Sequence, residues 1–300
     1  MLMTKIGNMY HKTADDRVFT ASWYICSMID RIVLTSAAGS VGETVRRSLE
    51  SHGVHVTVFE GPDARKDTIG FIRELRRMVN STGPVILLPV FFPEVLADHR
   101  DMFPECIIPL DQASKIRLLD NKLSACNLAE RLGIPQPRRF DFNDGDMKFP
   151  VVFKRTTGQG GDSVYFPRDR KALANLIRTS SDYLITEFVE GDNWCTDCLR
   201  TGKSFRAASY RVLEPLGKGI STKREAVEAP QLEEYCRQIL EAIDYQGLCE
   251  MDFRRSPDGR FYFLECNPRF SGGIETTLES GFDIAWEYIQ FILSKPLSTR

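Results

Sequence analysis

A carboxylate, an amide and a guanidinium follow one another at alternate positions near the C-terminus, in Glu265, Asn267 and Arg269. They come directly after the bulky run Phe-Tyr-Phe-Leu at 261–264, which predicts a buried strand. Residues two apart share one face of a strand, so Glu265 and Asn267 should lie side by side. Carboxylate and amide oxygens are the hard ligands that Mg²⁺ prefers. The stretch therefore predicts a cation site where a strand ends.

A second acid-bearing run, Leu-Cys-Glu-Met-Asp-Phe at 248–253, precedes the first. The sequence Ser-Pro-Asp-Gly at 256–259 between the two runs is a turn signal, so together they predict a hairpin. In this hairpin Asp252 can lie across from Glu265, with Asn267 beside them. These three residues are the predicted metal ligands, with room for two ions. The alternative is an exposed hairpin whose acids are solvated.

The run Glu-Cys-Asn-Pro-Arg-Phe-Ser-Gly-Gly at 265–273, preceded by Asp252 on a neighbouring strand, resembles the metal-binding end of the ATP-grasp superfamily. Within it, the chain is most similar to the carbamoyl-phosphate-synthase-like and carboxylate-amine ligase branches, over about residues 30–295. The resemblance implies an α/β fold class with α+β lobes, that is, an ATP-grasp fold with an N-terminal open α/β (pre-ATP-grasp) domain. It also implies ATP and Mg²⁺ as cofactors, with Mn²⁺ as an alternative ion.

The order of the elements sets the expected domains. A strand at 32–34, a small-residue turn, an amphipathic run and a second strand at 54–59 are typical of an α/β domain. The chain begins with an N-terminal extension over 1–29, which is expected to be disordered, and an upstream extension of the reading frame over 1–27 is one interpretation of it. An N-terminal α/β domain over 30–112, an ATP-grasp small lobe with a glycine loop over 113–186, and a large lobe with the metal site over 187–300 should follow.

Phosphate-binding residues are expected in the small lobe. Lys154 ends an apolar strand, and the small residues of the loop that follows it include Gly158, Gly160, Gly161 and Ser163. Glycines permit close backbone approach, so free N–H groups can surround phosphate oxygens while the ammonium neutralises charge. The resemblance adds Lys122, within a single helix predicted over 113–132, as a second phosphate-contacting lysine.

The strand at 183–187 runs into a turn that resembles an adenine-binding hinge. The resemblance implies that backbone groups of Glu187, Phe188 and Val189 read the adenine edge. In that family a glutamate a few residues later usually holds the ribose hydroxyls. Here the best-matching position is Asn193, beside Asp192, so the sequence departs from the family pattern at the ribose contact.

Three residues are the expected catalytic groups. The resemblance implies that Arg269 orients an acyl phosphate by bidentate contact and that Lys154 neutralises phosphate charge. Arg211 is expected to clamp substrate or phosphate, with a surface salt bridge as the equal alternative. The implied reaction activates a carboxylate as an acyl phosphate and joins it to an amine, releasing ADP and phosphate.

Three alternatives remain. The first is carboxy- or carbamoyl-phosphate synthesis from bicarbonate, and the second is a non-catalytic ATP-binding regulatory protein. The third is an NAD-dependent oxidoreductase, in which the turn at 37–42 would bind the dinucleotide and Glu60 the ribose. That turn lacks the full Gly-x-Gly-x-x-Gly fingerprint, and this alternative leaves the stretch at 265–273 without a role.

The composition of the chain indicates which classes of partner it can bind. A net charge of −2 gives no bulk attraction to nucleic acid or to an anionic membrane. No apolar run reaches membrane-spanning length, and scattered cysteines in apolar stretches are typical of reduced thiols in the cytoplasm. The Cys-x-x-Cys pair Cys195 and Cys198 should point to opposite faces of a strand. The expected partners are small-molecule carboxylate and amine substrates, with a homodimer as the state common in the family.

Overall fold

The computed structural model of the chain describes residues 31–158, 164–213 and 223–294. The predicted N-terminal extension and the loop residues Gly160, Gly161 and Ser163 lie outside these ranges. The strands are Arg31–Thr35 (β1), His55–Val58 (β2), Ile86–Pro89 (β3), Val151–Arg155 (β4), Val164–Tyr165 (β5), Tyr183–Glu187 (β6), Asp192–Thr201 (β7), Ser204–Val212 (β8), Arg224–Val227 (β9), Gly247–Arg255 (β10) and Phe261–Asn267 (β11).

The α-helices of the described ranges alternate with strands only in the first third of the chain. They are Ser40–Ser51 (α1), Thr68–Thr82 (α2), Pro93–Asp98 (α3), Ala113–Asp120 (α4), Lys122–Arg131 (α5), Arg170–Arg178 (α6), Pro230–Ala242 (α7), Ile274–Glu279 (α8) and Ile284–Ser294 (α9). None of them is long and apolar enough to cross a membrane.

Within the described residues the strands form three sheets, ordered β2-β1-β3, β5-β4-β6 and β11-β10-β7-β8-β9. In the first sheet, β1 pairs in parallel with both neighbours. Its residues Ile32, Val33 and Leu34 are all buried, as expected for a parallel strand covered on both faces. This is the open α/β arrangement that the strand-turn-helix pattern predicts.

The five-stranded sheet is antiparallel and has one apolar and one polar face. Met251 and Phe253 on β10 and Phe263 on β11 pack into a core that includes Cys236 and Ile239 of α7. Because side chains alternate along a strand, the residues between them on β10 point to the other face. The hydrophobic pattern of β10 therefore decides which polar side chains share a surface.

The single helix predicted over 113–132 is wrong, because the chain breaks it at Asn121. This residue has an extended conformation, and its Oδ1 accepts a hydrogen bond of 3.0 Å from the backbone N–H of Ser124, so it caps α5. The backbone N–H of Lys122 donates instead to the carbonyl oxygen of Thr156, at 2.8 Å. The break therefore holds Lys122 against the end of β4.

The N-terminal sheet shares a hydrophobic core with the C-terminal helix. Leu34 of β1 and Val45 of α1 lie in one buried cluster with Ile284 and Ile289 of α9. The hydroxyl of Tyr288, also on α9, donates a hydrogen bond to the carbonyl of Pro109, near the end of the predicted N-terminal domain. The first and last parts of the chain are thus joined by direct packing.

Gly191, between β6 and β7, provides a test of this fold. Its φ of 125° is unfavourable for other residues, and a Cβ there would lie 1.9 Å from the backbone oxygen of Arg255. Gly191→Ala should therefore lower the free energy of unfolding by about 2–4 kcal/mol, measured by denaturant titration.

The control is Gly145→Ala, since a Cβ at this position meets no atom within 4 Å. It should change the free energy of unfolding by less than about 0.5 kcal/mol. Equal denaturation midpoints for the two variants would contradict the close approach of residues 191 and 255.

Candidate active site

The register of β10 and β11 brings the predicted metal ligands together. Asp252 lies opposite Glu265, and Glu250 lies opposite Asn267. Directly opposed residues of an antiparallel pair point to the same face, so all four side chains share one surface. The Nδ2 group of Asn267 donates to Oδ2 of Asp252 at 3.3 Å. A register shift follows Asp252, and such irregularities are frequent beside functional sites because they redirect side chains.

Two buried lysines supply positive charge to the same place. The Nζ atom of Lys122 lies 3.3 Å from Oε2 of Glu265 and donates to the carbonyl oxygen of Gly158 at 2.9 Å. The Nζ atom of Lys154 donates to the carbonyl oxygen of Leu264 at 2.8 Å. Lysine is seldom buried without a charged partner, yet the only hydrogen bond of the Lys154 ammonium to a described residue is to a carbonyl oxygen. The pair is chemically suited to an anion.

Arg269 connects the ligand residues to the N-terminal domain. Its Nη2 donates to Oδ1 of Asn267 at 3.3 Å, and its Nη1 lies 3.6 Å from Oε2 of Glu250. The guanidinium carbon lies 5.5 Å from the ring centre of Phe91. The buried Nε has no hydrogen-bond partner among the described residues. A buried donor left unpaired costs roughly 1–3 kcal/mol, so this atom is available to a ligand.

Three further polar groups belong to this surface and were not assigned to it from the sequence. The Sγ atom of Cys195, opposite Asp252 on β7, donates to Oδ1 of Asp252 at 3.1 Å. The hydroxyl of Tyr210 donates to Oε1 of Glu250 at 2.8 Å. The atoms that could bind a metal ion, the sulfur of Cys195 and one carboxylate oxygen each of Glu250 and Asp252, lie within 4.8 Å of one another. Glu250 could have been found, because it is two residues from Asp252 on the same strand.

A buried aspartate anchors the loop that follows β11. Oδ2 of Asp197 accepts hydrogen bonds from the hydroxyls of Ser271, at 2.7 Å, and Thr277, at 2.5 Å. Burial, and then the nearby carboxylate of Glu250, raise the pKa of Asp197 to about 7. Gly273 is needed in this loop because a Cβ there would lie 2.2 Å from the ring of Tyr210.

The carboxyl groups of Asp252 and Glu265, which face each other, have pKa values shifted in opposite directions. Burial, followed by the charges of Glu250 and Glu265, raises the pKa of Asp252 well above its usual range. Burial would also raise the pKa of Glu265, but Lys122 and Lys154 outweigh it and lower the pKa. Crowded, buried acids of this kind fit a divalent cation, which compensates their charge. The oxygen-rich ligand set matches Mg²⁺.

The predicted adenine hinge is held by its neighbours. The backbone N–H of Glu187 donates to the carbonyl of Arg138, and Oε1 of Glu187 accepts from the backbone N–H of Arg138, both at 2.9 Å. The carbonyl of Val189 accepts a hydrogen bond of 2.9 Å from Nε of Arg254. Oδ1 of Asn193 accepts one of 2.6 Å from Nη1 of Arg254. Arg254 was not among the residues predicted from the sequence to bind a ligand.

The structure does not bring Arg211 to the other predicted residues. It lies opposite Trp194, on the face of the sheet away from Asp252. Its Nη2 pairs with Oε2 of Glu225 at 2.8 Å, and its side chain is 39% exposed. This geometry matches the surface ion pair that was the alternative interpretation.

The two cysteines of the Cys-x-x-Cys sequence do not lie side by side, as the thiols of a redox pair would. Cys195 contacts Asp252 on the polar face, whereas Cys198 lies in the apolar core with α7. The two side chains point to opposite faces, as the strand period predicts.

Comparisons with known proteins agree with this architecture. Residues 179–299 match a family model described as ATP-grasp in the biosynthetic pathway with Ter operon. A carbamoyl-phosphate synthase from Methanobrevibacter smithii is 23% identical over 218 residues, which is 65% of this chain and 58% of the synthase. This chain therefore matches less than two thirds of that relative.

Several solved structures share the fold. The biotin carboxylase domain of Hydrogenobacter thermophilus 2-oxoglutarate carboxylase, a dimer in complex with MgADP, ADP and bicarbonate, gives a TM-score of 0.71 at 16% identity, covering 89% of this chain and 70% of that domain. An L-amino acid ligase from Bacillus licheniformis gives 0.69 at 16% identity, with 89% and 74% covered. N5-carboxyaminoimidazole synthase from Aspergillus clavatus gives 0.65 at 15% identity, with 89% and 77% covered.

The chain has the ATP-grasp fold, of the α/β class, and the predicted resemblance to this superfamily is confirmed. The similar proteins include a carbamoyl-phosphate synthase and an amino acid ligase, which correspond to the two branches named from the sequence.

The buried Asp197 should make stability depend on pH in a defined direction. Its pKa of about 7 in the folded chain exceeds the ordinary value of 3.8, so the unfolded chain releases this proton first as pH rises. The neutral carboxyl makes its whole contribution to the free energy of unfolding below pH 3.8, and this contribution is lost as the pH rises to about 7. Asp197→Asn cannot ionise, so its free energy of unfolding relative to wild type should rise over this window.

The measurement is denaturant unfolding of wild type and variants between about pH 2 and pH 8, a range that includes the titration of both carboxyls. Asp258→Asn is the control of opposite sign, because the Ser256 hydroxyl lowers the pKa of Asp258. For Asp258, the free energy of unfolding of the wild type relative to the variant should increase as pH rises towards 3.8, and it should stay constant above that range. A difference between Asp197→Asn and wild type that stays constant with pH would refute the assignment.

Proposed function

We propose that this chain is an ATP-dependent carboxylate-amine ligase. It activates a small-molecule carboxylate as an acyl phosphate, joins it to an amine and releases ADP and phosphate. The observation that carries the proposal is one partly buried surface on which Asp252, Glu265 and Asn267 meet the ammonium groups of Lys122 and Lys154. Such a surface suits a nucleoside triphosphate with its divalent cation, because it offers both signs of charge in a partly buried site.

Asp252, Glu265 and Asn267 would hold Mg²⁺, with Glu250 beside them. When bound, the cation neutralises phosphate oxygens and makes the terminal phosphorus easier to attack. Mn²⁺ accepts the same oxygen ligands and is the alternative ion.

In the first proposed step, an oxygen of the substrate carboxylate attacks the γ-phosphorus of ATP. The bond from this phosphorus to the β–γ bridging oxygen breaks, and ADP leaves. Lys122 and Lys154 reduce the repulsion between the two anions, and their burial strengthens this effect. Backbone groups of the loop that contains Gly158, Gly160, Gly161 and Ser163 are proposed to surround the phosphates.

In the second step, the amine nitrogen attacks the carbonyl carbon of the acyl phosphate. The bond from this carbon to the phosphate oxygen breaks, phosphate leaves, and the nitrogen releases its proton to solvent. Arg269 is the residue proposed to orient the acyl phosphate, and its unpaired Nε supports this role. Arg211 remains a predicted clamp, although its ion pair with Glu225 supports a surface role better.

The remaining assignments are proposals of the same kind. Backbone groups from Glu187 to Val189 would contact adenine, and Asn193 would stand near the ribose. The domain limits at 112/113 and 186/187, the assembly as a homodimer and a cytoplasmic location are also proposed. The dimer proposal is supported by the biotin carboxylase domain, whose structure is described as a dimer.

A second candidate function has specific support. One similar protein is a carbamoyl-phosphate synthase, and one similar structure contains bicarbonate. The same surface would then activate bicarbonate in place of an organic carboxylate. The two candidates share the first phosphoryl transfer and differ in the acid that attacks, so one assay with separate substrate pools distinguishes them.

The test is phosphate release from Mg·ATP with pooled amino acids, pooled small carboxylates and, separately, bicarbonate. One pool should stimulate release by the wild type. The double variant Asp252→Asn, Glu265→Gln should lose roughly 100-fold or more of this rate, because the charge-compensating ligands are removed.

The control is the double variant Asp101→Asn, Glu279→Gln, which neutralises two exposed acids. It should keep the wild-type rate. Release by the Asp252 and Glu265 variant at the wild-type rate would refute the site. Stimulation by bicarbonate alone would replace the ligase proposal with carboxyphosphate chemistry.

A further inference from the structure

Arg254 lies on the same surface as the metal-ligand candidates. On β10 the side chains of Met251 and Phe253 are in the core, so those of Glu250, Asp252 and Arg254 share the opposite face. Arg254 is therefore the next side chain along this face after Asp252, in the direction of the hinge.

The contacts of Arg254 are with the residues expected to bind the nucleoside. Its Nε donates to the carbonyl of Val189 at 2.9 Å, and its Nη1 donates to Oδ1 of Asn193 at 2.6 Å. Its guanidinium carbon lies 5.5 Å from the ring centre of Phe188. One side chain thus joins the hinge to the predicted ribose position, while its Nη2 group has no hydrogen bond to a described residue.

This arrangement changes the chemistry of ribose recognition. An acid at this place would accept hydrogen bonds from the ribose hydroxyls. Here Asn193 takes the place of the acid and its oxygen already accepts from Arg254, so the charged group that contacts this residue is a donor, while the neighbouring Asp192 carboxylate acts on the guanidinium by its charge. A ribose hydroxyl can also accept a hydrogen bond, and a guanidinium carries donors only. At this position we therefore expect the protein to donate the hydrogen bond and the ribose hydroxyl oxygen to accept it.

We propose that Arg254 is a nucleotide-binding residue that fixes the hinge through Val189 and Asn193 and donates from Nη2 to a ribose hydroxyl of ATP. This inference rests on the proposed ATP-binding function and specifies how the nucleoside is held. It also gives the two ends of this surface different roles. The acids at one end would hold the metal and its phosphates, and the guanidinium of Arg254 at the other end would contact the sugar.

The experiment is calorimetric titration of the full-length chain with Mg·ATP, Mg·2′-deoxy-ATP and Mg·3′-deoxy-ATP. The wild type should bind ATP about tenfold more tightly than one of the deoxy analogues. Arg254→Met should bind ATP about 10- to 100-fold more weakly, the range expected for losing hydrogen bonds from a charged group. It should also bind all three nucleotides within about twofold, because the ribose donor is gone.

Arg255→Met is the matched control. This neighbouring arginine lies over the rings of Trp194 and Phe261, each 5.4 Å from its guanidinium carbon, on the other side of the strand. The variant should keep both the affinity for ATP and the preference over the deoxy analogue. A general loss of structure would affect affinity but would not remove the preference selectively.

Arg254→Lys is a second variant in case the methionine variant is unstable. A lysine keeps the charge but cannot hold two acceptors in the fixed geometry of a guanidinium, so most of the ribose preference should be lost. The inference is overturned if either Arg254 variant retains the wild-type preference, or if the wild type binds all three nucleotides equally. A wild type that binds no nucleotide refutes the proposed function itself, and this inference with it.

Discussion

The pairing of β10 with β11 is the constraint on which the rest of the site depends. It sets Asp252 opposite Glu265 and Glu250 opposite Asn267 on a largely buried surface. Several carboxylates in such a place are unfavourable by themselves, because burial penalises charge and like charges repel. Positive charge from elsewhere in the chain therefore stabilises the hairpin, most directly at Glu265, whose pKa Lys122 and Lys154 lower.

Those cations arrive by separate structural routes. Lys122 is placed by a break between two helices, and Lys154 by the end of β4. In the structure each ammonium donates to a carbonyl oxygen, of Gly158 and Leu264 respectively. A carbonyl is a neutral acceptor, which a phosphate oxygen would replace with a stronger, charged one. Lys122 also lies 3.3 Å from Oε2 of Glu265, so each ammonium still has at least one of its three N–H donors for an anion, as the proposed phosphoryl transfer requires.

The sequence predicted what is local and missed what depends on distant pairing. The opposition of Asp252 and Glu265 follows from two apolar runs and a short turn, because loop length sets the register of a hairpin. The break at Asn121 was missed because the apolar spacing continues through it, while the cap depends on one side chain. Cys195 and Tyr210 reach the site only through the strand order β10-β7-β8, for which no local pattern exists. Arg211 could have been excluded from the face of Cys195 once its register with Trp194 was known.

If this surface binds a nucleotide as proposed, the order of charges along it would also constrain how the nucleotide lies. Asp252, next to Glu265 and the two lysines, offers the charge balance that a metal-bound triphosphate needs. Arg254, one step further on the same face, contacts the hinge and has no carboxylate among its hydrogen-bond acceptors in the described chain. Because the strand fixes this order, the reverse orientation would put a neutral base among buried acids and lysines. In the proposed complex, alternate residues of one strand would thus set the direction of binding.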